Sequence, residues 1–421
     1  MRIVYLHQYF NSPDMVGGTR SYSLARRLVR FGHEVHVVTT DREGRRRTGG
    51  AWRDNNVDGI HVHWISVPYS NHMSNSRRIL AFLTFAMLAA RRARKLRGDV
   101  VFASSTPLTI AIPAVYAARR SKAPLVFEVR DLWPAVPIAI GALRSKVLKS
   151  MALWLERFAY RNSTEIVALA PGMRDAIAEV GFPRDLITVI PNGADLDIIA
   201  ADRSDAPNIR SSHEWLGDRK LVLFCGSIGR ANGVAYLSEL SAKVEEIDKE
   251  IRFVVIGDGA EKDLVEADAT TRGILGRSFF MMGEMAKEDA ARWLCTADMT
   301  VALFTGPRIV WKDATQNKFF DSLAAGKPIA NNFDGWQCQI AVEQEVGLVL
   351  PRDDIPQAAQ ILCEKLSDES WMADASASAS RLARTTFSMD TLCGTLETVL
   401  VRAADRFEPL TRSPQAVQKG Q

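Results

Sequence analysis

The feature that most limits this chain is an alternation of short apolar runs with amphipathic helical stretches. "RIVYLHQYF" reads as a strand, "GGTRSYSLARRLVRFG" spaces Tyr22, Leu24, Ala25, Leu28 and Val29 as on a helix, and "HEVHVVTT" returns as a strand. Gly32 stands where a helix C-cap glycine belongs. Strand, helix and strand in that order predict a βαβ unit and a mainly parallel sheet. The same grammar continues through "DVVFASS", "PLVFEVRD" and "EIVALA". It restarts at "KLVLFCGSIG" and runs on through "VAYLSELSAKVEEI", "IRFVVIGDG", "DMTVALF" and "KFFDSLAAGKPIA". Two Rossmann-like α/β domains are therefore expected, 1–195 and 219–385, joined by a polar linker, 196–218. A C-terminal helix over 386–408, placed to cross back to the first domain, and a disordered tail over 409–421 complete the layout. A length of 421 residues suits two cores better than one. Open parallel sheets bind ligands at the carboxyl ends of their strands, so the cleft between the domains is the expected site.

Charge is divided unevenly between the halves. Residues 1–195 hold 28 Lys/Arg against 15 Asp/Glu, and residues 196–421 hold 25 against 34. A basic first half either suits an anionic partner or is a solvated face. Nucleic acid is disfavoured as that partner, because the basic residues lack interleaved aromatics and no reader motif is present. The five cysteines, Cys225, Cys295, Cys338, Cys363 and Cys393, form no CxxC pair and have no histidines at ligand spacing. That argues against structural zinc and against a secreted disulfide framework, and fits a reducing cytosol. The opening "MRIVYLHQYF" is too short an apolar run for a signal peptide. No stretch reaches the ~18 apolar residues that span a bilayer. One segment stands apart: residues 76–98, "SRRILAFLTFAMLAARRARKLRG", flank the apolar run Ile79 to Ala90 with arginines on both sides. It is either a buried helix with a solvated basic end or a helix lying on an anionic membrane surface. "RSKVLKSMALWLERFAYR" repeats the pattern.

Four stretches could carry chemistry. Gly17 and Gly18 lie between the first strand and first helix, where backbone can approach a ligand and free N–H groups can meet an anion. The spacing is not GxGxxG, so the dinucleotide fingerprint is absent. "CGSIGRANG", with Gly226 and Arg230, follows a strand and suits a phosphate-facing loop, but it lacks the ending of a P-loop. "VVIGDG", with Gly257, is at least a tight turn. "DATQNKFFDSLAAGKPIA" is the strongest of the four: Thr315 as N-cap, Gly326 as C-cap and Pro328 as stop predict a helix over 316–325. Its N-terminus and Lys318 could hold a diphosphate and stabilise it as it leaves, Asp321 could take ribose hydroxyls and Asp313 sugar hydroxyls. The alternative is a capped helix whose carboxylates face water.

Taken together these residues resemble the retaining glycosyltransferases of the family-four class, which have the two-domain GT-B fold. The chain looks most like bacterial surface-polysaccharide transferases that add N-acetylfucosamine or related amino sugars. "YLHQYFNSPDMVGGTRSYSLARRL", "ASSTPLTIAIPA", "FEVRDLWP", "VIPNGAD", "GSIGRANG" and "NKFFDSLAAGKPIA" carry the likeness, in order, over nearly the whole chain. The resemblance implies that Gly17 and Gly18 approach the donor phosphates, and that Asp313 and Asp321 stand for a pair of glutamates contacting donor sugar and ribose. An Arg/Lys pair common in relatives is replaced by Ser227 and Asn232, which leaves Arg230 and Lys318 to supply phosphate charge. A histidine often found after the fourth strand is replaced by Arg130, followed by Asp131; both are expected at the reaction centre. The implied reaction moves a sugar from a UDP-sugar to a hydroxyl of a polyprenyl diphosphate-linked glycan, with retention, no cofactor and no metal, at the inner face of the cell membrane. A nucleotide-sugar 2-epimerase of the same architecture and a catalytically inactive scaffold remain as competing readings.

Overall fold

A computed structural model describes residues 1–41, 52–68, 73–141, 143–199 and 206–407. The expected tail, 409–421, lies outside the described residues. The first eight strands are β1 (Arg2–Leu6), β2 (Glu34–Asp41), β3 (Arg53–Val57), β4 (Ile60–Ser66), β5 (Val100–Ser104), β6 (Leu125–Val129), β7 (Glu165–Ala168) and β8 (Ile187–Val189). They form one sheet in the order β3-β4-β2-β1-β5-β6-β7-β8, parallel except where β3 runs against β4. The second sheet takes β9 (Lys220–Cys225), β10 (Ile251–Ile256), β11 (Phe279–Met282), β12 (Met299–Ala302), β13 (Ile329–Asn331) and β14 (Gly347–Val349). Its order is β11-β10-β9-β12-β13-β14, all parallel. Two doubly wound α/β sheets are what the alternating pattern predicts, because strands covered by helices on both faces must be apolar throughout. Every residue of β5 and β6 is buried.

The hairpin β3–β4 is absent from the sequence reading. Its turn is Asp58-Gly59, both at positive φ (49° and 85°), the Asp-Gly pair that favours a two-residue hairpin. The alternation of His61, Val62 and His63 in β4 hid its strand character among polar residues. The histidine replaced by Arg130 therefore follows the sixth strand, not the fourth. The polar stretch 196–218 also holds structure: Ile199 and Leu216 are fully buried in the core shared by the two sheets' inner helices.

The helices Asn75–Leu96, Ala111–Ser121 and Lys146–Arg161 cover one face of the first sheet, with Phe85, Ala89, Ala114 and Tyr160 packed onto Val4, Leu6 and Val101. The opposite face is covered by Arg20–Arg30 and by the last helix, Met389–Arg406, which returns from the second domain. Charged groups fix that return. Arg27, 2% exposed, is held by Asp195 at 3.1 Å and by Asp390 at 2.5 Å. Arg402 Nε donates to the wholly buried Glu165 at 2.6 Å. Breaking the buried Arg27–Asp195 pair by removing one partner costs about 3–5 kcal/mol, since the other charge is left uncompensated.

Candidate active site

The loops that follow the strands of the two sheets meet across a cleft made of two adjoining cavities, about 620 and 450 Å³ in volume. Gly17, Gly18, Gln316 and Asn317 line both, so the first-domain glycine turn and the start of the helix Asn317–Ala325 form the neck between them. The approach is close: a Cβ on Gly18 would stand 2.9 Å from Asn317 Nδ2.

The smaller cavity belongs to the second domain. The loops after β9 and β10 lie backbone on backbone, with Gly226 N–H donating to Ile256 O and Ile228 N–H to Asp258 O, each at 2.9 Å. Gly257, at φ 150°, has no room for a side chain, because a Cβ would stand 2.0 Å from Gly226 O. Gly226, at φ 147°, is met in turn by Lys318, whose Nζ would lie 2.9 Å from a Cβ. These glycines let bare backbone close around a lysine, and Ser227 lies beside them in the same cavity.

Lys318 sits in the first turn of the 317–325 helix, its Nζ 4.8 Å from the Phe224 ring centroid and 3.4 Å from Asn232 Oδ1. Burial disfavours the ammonium and pulls its pKa down to about 8. The helix starts one residue later than expected, and Thr315 does not cap it. Gln316 holds the N-cap place in an extended conformation with no side-chain cap bond; its N–H donates to Gln337 Oε1 at 2.9 Å and its side-chain amide to Leu303 O at 3.0 Å. The uncapped first turn leaves N–H groups for a ligand, at the positive end of the helix. Gly326 closes the helix at φ 67°, as expected. Asp321, one turn further on, is paired through Oδ2 with Lys287 Nζ at 2.5 Å.

Lys287 was not found in the sequence. It opens the helix Lys287–Thr296, whose first-turn N–H groups, Lys287 and Glu288, donate to Met15 O and Pro13 O of the first domain at 3.3 Å. It thereby brings a second cation to the smaller cavity where the domains touch. Arg230, expected to supply that charge, is exposed and lines neither cavity.

The larger cavity is walled by the first domain. Arg130 and Asp131, expected at the reaction centre, follow β6 into the lining of this cavity. Arg130 Nη1 stands 3.3 Å from His7 Nε2, and Asp131 Oδ2 accepts from Thr106 Oγ1 at 3.2 Å. Trp133, Val136, Pro137 and, across the cleft, Ile309 and Val310 make an apolar flank. Asp313 enters from the second domain and packs on Gly172, where a Cβ would stand 1.9 Å from its Oδ1. Its Oδ2 is buried, accepts no hydrogen bond and lies 3.5 Å from Lys312 Nζ. Asn192 Oδ1 and Gln316 Oε1, also lining this cavity, are buried without donors too. Buried oxygens of this kind are rare in folded proteins unless a partner is to come, and all three call for hydroxyl or N–H donors. Asn192 lay within the quoted "VIPNGAD", but nothing in its spacing marked the side chain.

Comparison with known proteins bears on the two domains and their fold. Residues 17–193 match the family model of the Glycosyl transferase 4-like domain, and residues 219–368 that of Glycosyl transferases group 1. WcaI of Escherichia coli K12, named for colanic acid biosynthesis glycosyl transfer, is 23% identical over 283 residues, covering 64% of this chain and 69% of that protein. Alpha-D-kanosaminyltransferase of Streptomyces kanamyceticus is 26% identical over 136 residues, covering 32% of this chain and 35% of that protein. The crystal structure of Anabaena HepE in complex with UDP-glucose superposes with a TM-score of 0.70 at 17% identity, covering 96% of this chain and 100% of that chain. The chain thus carries a Glycosyl transferase 4-like domain followed by a Glycosyl transferases group 1 domain, on the two facing Rossmann-like sheets of the GT-B fold.

Proposed function

We propose that this protein is a retaining glycosyltransferase that moves a sugar from a UDP-sugar to a hydroxyl of a lipid-linked glycan in surface polysaccharide biosynthesis. The observation that carries the reading is the division of chemistry at the neck of the cleft: two lysines and an uncapped helix start on one side, three donor-hungry oxygens on the other. The diphosphate lies against Lys318, Lys287 and the first turn of the 317–325 helix, near the backbone of Gly17, Gly18 and Gly226. Asp321 takes the ribose hydroxyls, with Lys287 holding its carboxylate in place. The sugar hydroxyls pass through the neck and satisfy Asp313, Asn192 and Gln316.

The acceptor enters the larger cavity, where Arg130 and Asp131 face it. The resemblance to retaining transferases supports a substitution on one face of the sugar without an enzymic nucleophile. The departing phosphate oxygen takes up the acceptor proton as the bond to the anomeric carbon breaks. Charge that develops on the diphosphate is met by preorganised N–H groups and ammonium groups in a partly dry site, where such stabilisation is largest and no metal is needed. The names of the relatives support the substrate classes: colanic acid biosynthesis for WcaI, an amino sugar for the kanosaminyltransferase, and UDP-glucose bound to HepE. The donor sugar proposed is an N-acetylated amino sugar and the acceptor a polyprenyl diphosphate-linked glycan at the inner membrane face, approached by a peripheral enzyme. The test is UDP release from a panel of UDP-sugars with and without such an acceptor. Release that rises with acceptor, giving a product of unchanged anomeric configuration, is expected. Epimer formation from donor alone would identify a 2-epimerase instead, and no turnover with any donor would favour a scaffold.

A further inference from the structure

Of the nineteen exposed large apolar side chains among the described residues, ten lie on the three helices that cover one face of the first sheet. On the 75–96 helix, Leu80, Leu83 and Met87 point outward at 65%, 47% and 53% exposure, while Ala81, Phe85 and Ala89 fill the core behind them. On the 146–161 helix, Val147, Met151 and Trp154 do the same at 68%, 59% and 63%. The 111–121 helix between them adds Ile112, and a groove of about 370 Å³ runs beside it, lined by Leu83, Met87, Arg91 and Tyr116. Monomeric proteins rarely gather so many bare apolar side chains on one layer of helices. The same three helices carry twelve Lys/Arg and one Asp/Glu, the buried Glu156. An apolar centre with cations around it is complementary to the acyl boundary and phosphate headgroups of an anionic bilayer. A second copy of the chain fits poorly, because a twofold contact would set cation against cation. No described helix is long and apolar enough to cross a membrane.

We infer that the outer face of this three-helix layer inserts into the interfacial region of an anionic bilayer. The 146–161 helix follows directly from the wall of the larger cavity, whose lining ends at Ile140, itself 52% exposed. Insertion there sets the mouth of that cavity at the lipid surface. The inference rests on the proposed function only in naming what enters the mouth; the contact with lipid stands without it.

The test is co-sedimentation of the full chain with phosphatidylcholine vesicles containing phosphatidylglycerol, at 0.1 M and at 1 M salt, where the Debye length falls to ~3 Å and charge attraction is screened. The wild-type chain is expected to bind at low salt and to keep a substantial bound fraction at 1 M. Leu83→Gln/Met151→Gln/Trp154→Gln together should lower that fraction about tenfold. Complete release of the wild type at 1 M salt, or a triple variant that binds like it, overturns insertion. Lipid-free dimerisation through this face, seen by light scattering and lost in the triple variant, overturns it as well. UDP titration of the triple variant keeps the two readings apart: unchanged UDP affinity shows a folded donor side, whereas vesicle binding without any UDP binding sinks the donor reading alone.

Discussion

The two cavities share a neck and differ in almost everything else. The smaller is built from glycine backbone and two lysines, one half-buried against Gly226 and one paired to Asp321. The larger is built from carboxylate and amide oxygens without donors, an arginine against a histidine, and an apolar flank. The first chemistry suits an anion of fixed shape. The second suits neutral hydroxyls and something apolar beyond them. A transferase needs this contrast, because the leaving group must be stabilised where charge appears while the acceptor must be held without competing for the same cations.

The strongest way to break the comparison is Asp313→Asn, which keeps the volume and removes the acceptor charge. Transfer should fall about 100-fold, the worth of a hydrogen bond to a charged group, while UDP affinity changes less than about threefold. A comparable loss in UDP affinity would mean that the cavities are not separate in function. Next in size is the pH response. Lys318 loses its proton as pH rises through about 8, well below the usual lysine value, and a diphosphate prefers the ammonium. UDP affinity should therefore be full below pH 8 and about tenfold lower at pH 9, and this dependence should vanish in Lys318→Met. By the same linkage the ligand-free protein gains stability as pH rises above 8, since the unfolded chain then holds the extra proton. Flat affinity from pH 7 to 9 would show that Lys318 does not meet the diphosphate. A smaller effect sharpens the comparison further: Lys287→Ala should weaken UDP binding about tenfold, the worth of one charged hydrogen bond, and Arg230→Ala by less than twofold. The reverse order would restore the loop arginine as the phosphate ligand.

Much of the fold was legible because parallel sheets write themselves as continuous apolar runs, and "VVFAS" or "IRFVVI" can hardly be anything else. The β3–β4 hairpin was not, since β4 interleaves three histidine-flanked positions and sits near the sheet edge, although Asp58-Gly59 marked its turn. In the site, Lys318, Asp321 and Asp313 were readable because one helix and its leading loop carry all three. Thr315 misled because capping depends on where the chain turns, and the Gln316–Gln337 bond sets that turn. Lys287 could not be read at all. Its role follows from a helix docked on Pro13 and Met15 of the other domain, and no local pattern encodes that contact. Arg230 shows the converse, a cation in a promising motif whose loop points it at solvent.

The most direct measurement is a calorimetric titration of UDP into the wild-type protein and into Lys318→Ala at pH 7. The account predicts one site per chain in the wild type and an affinity lower by about 100-fold in the variant, equivalent to ~3 kcal/mol for a charged contact in a dry site. Equal affinity in the two proteins, or no binding to the folded wild type, would contradict it.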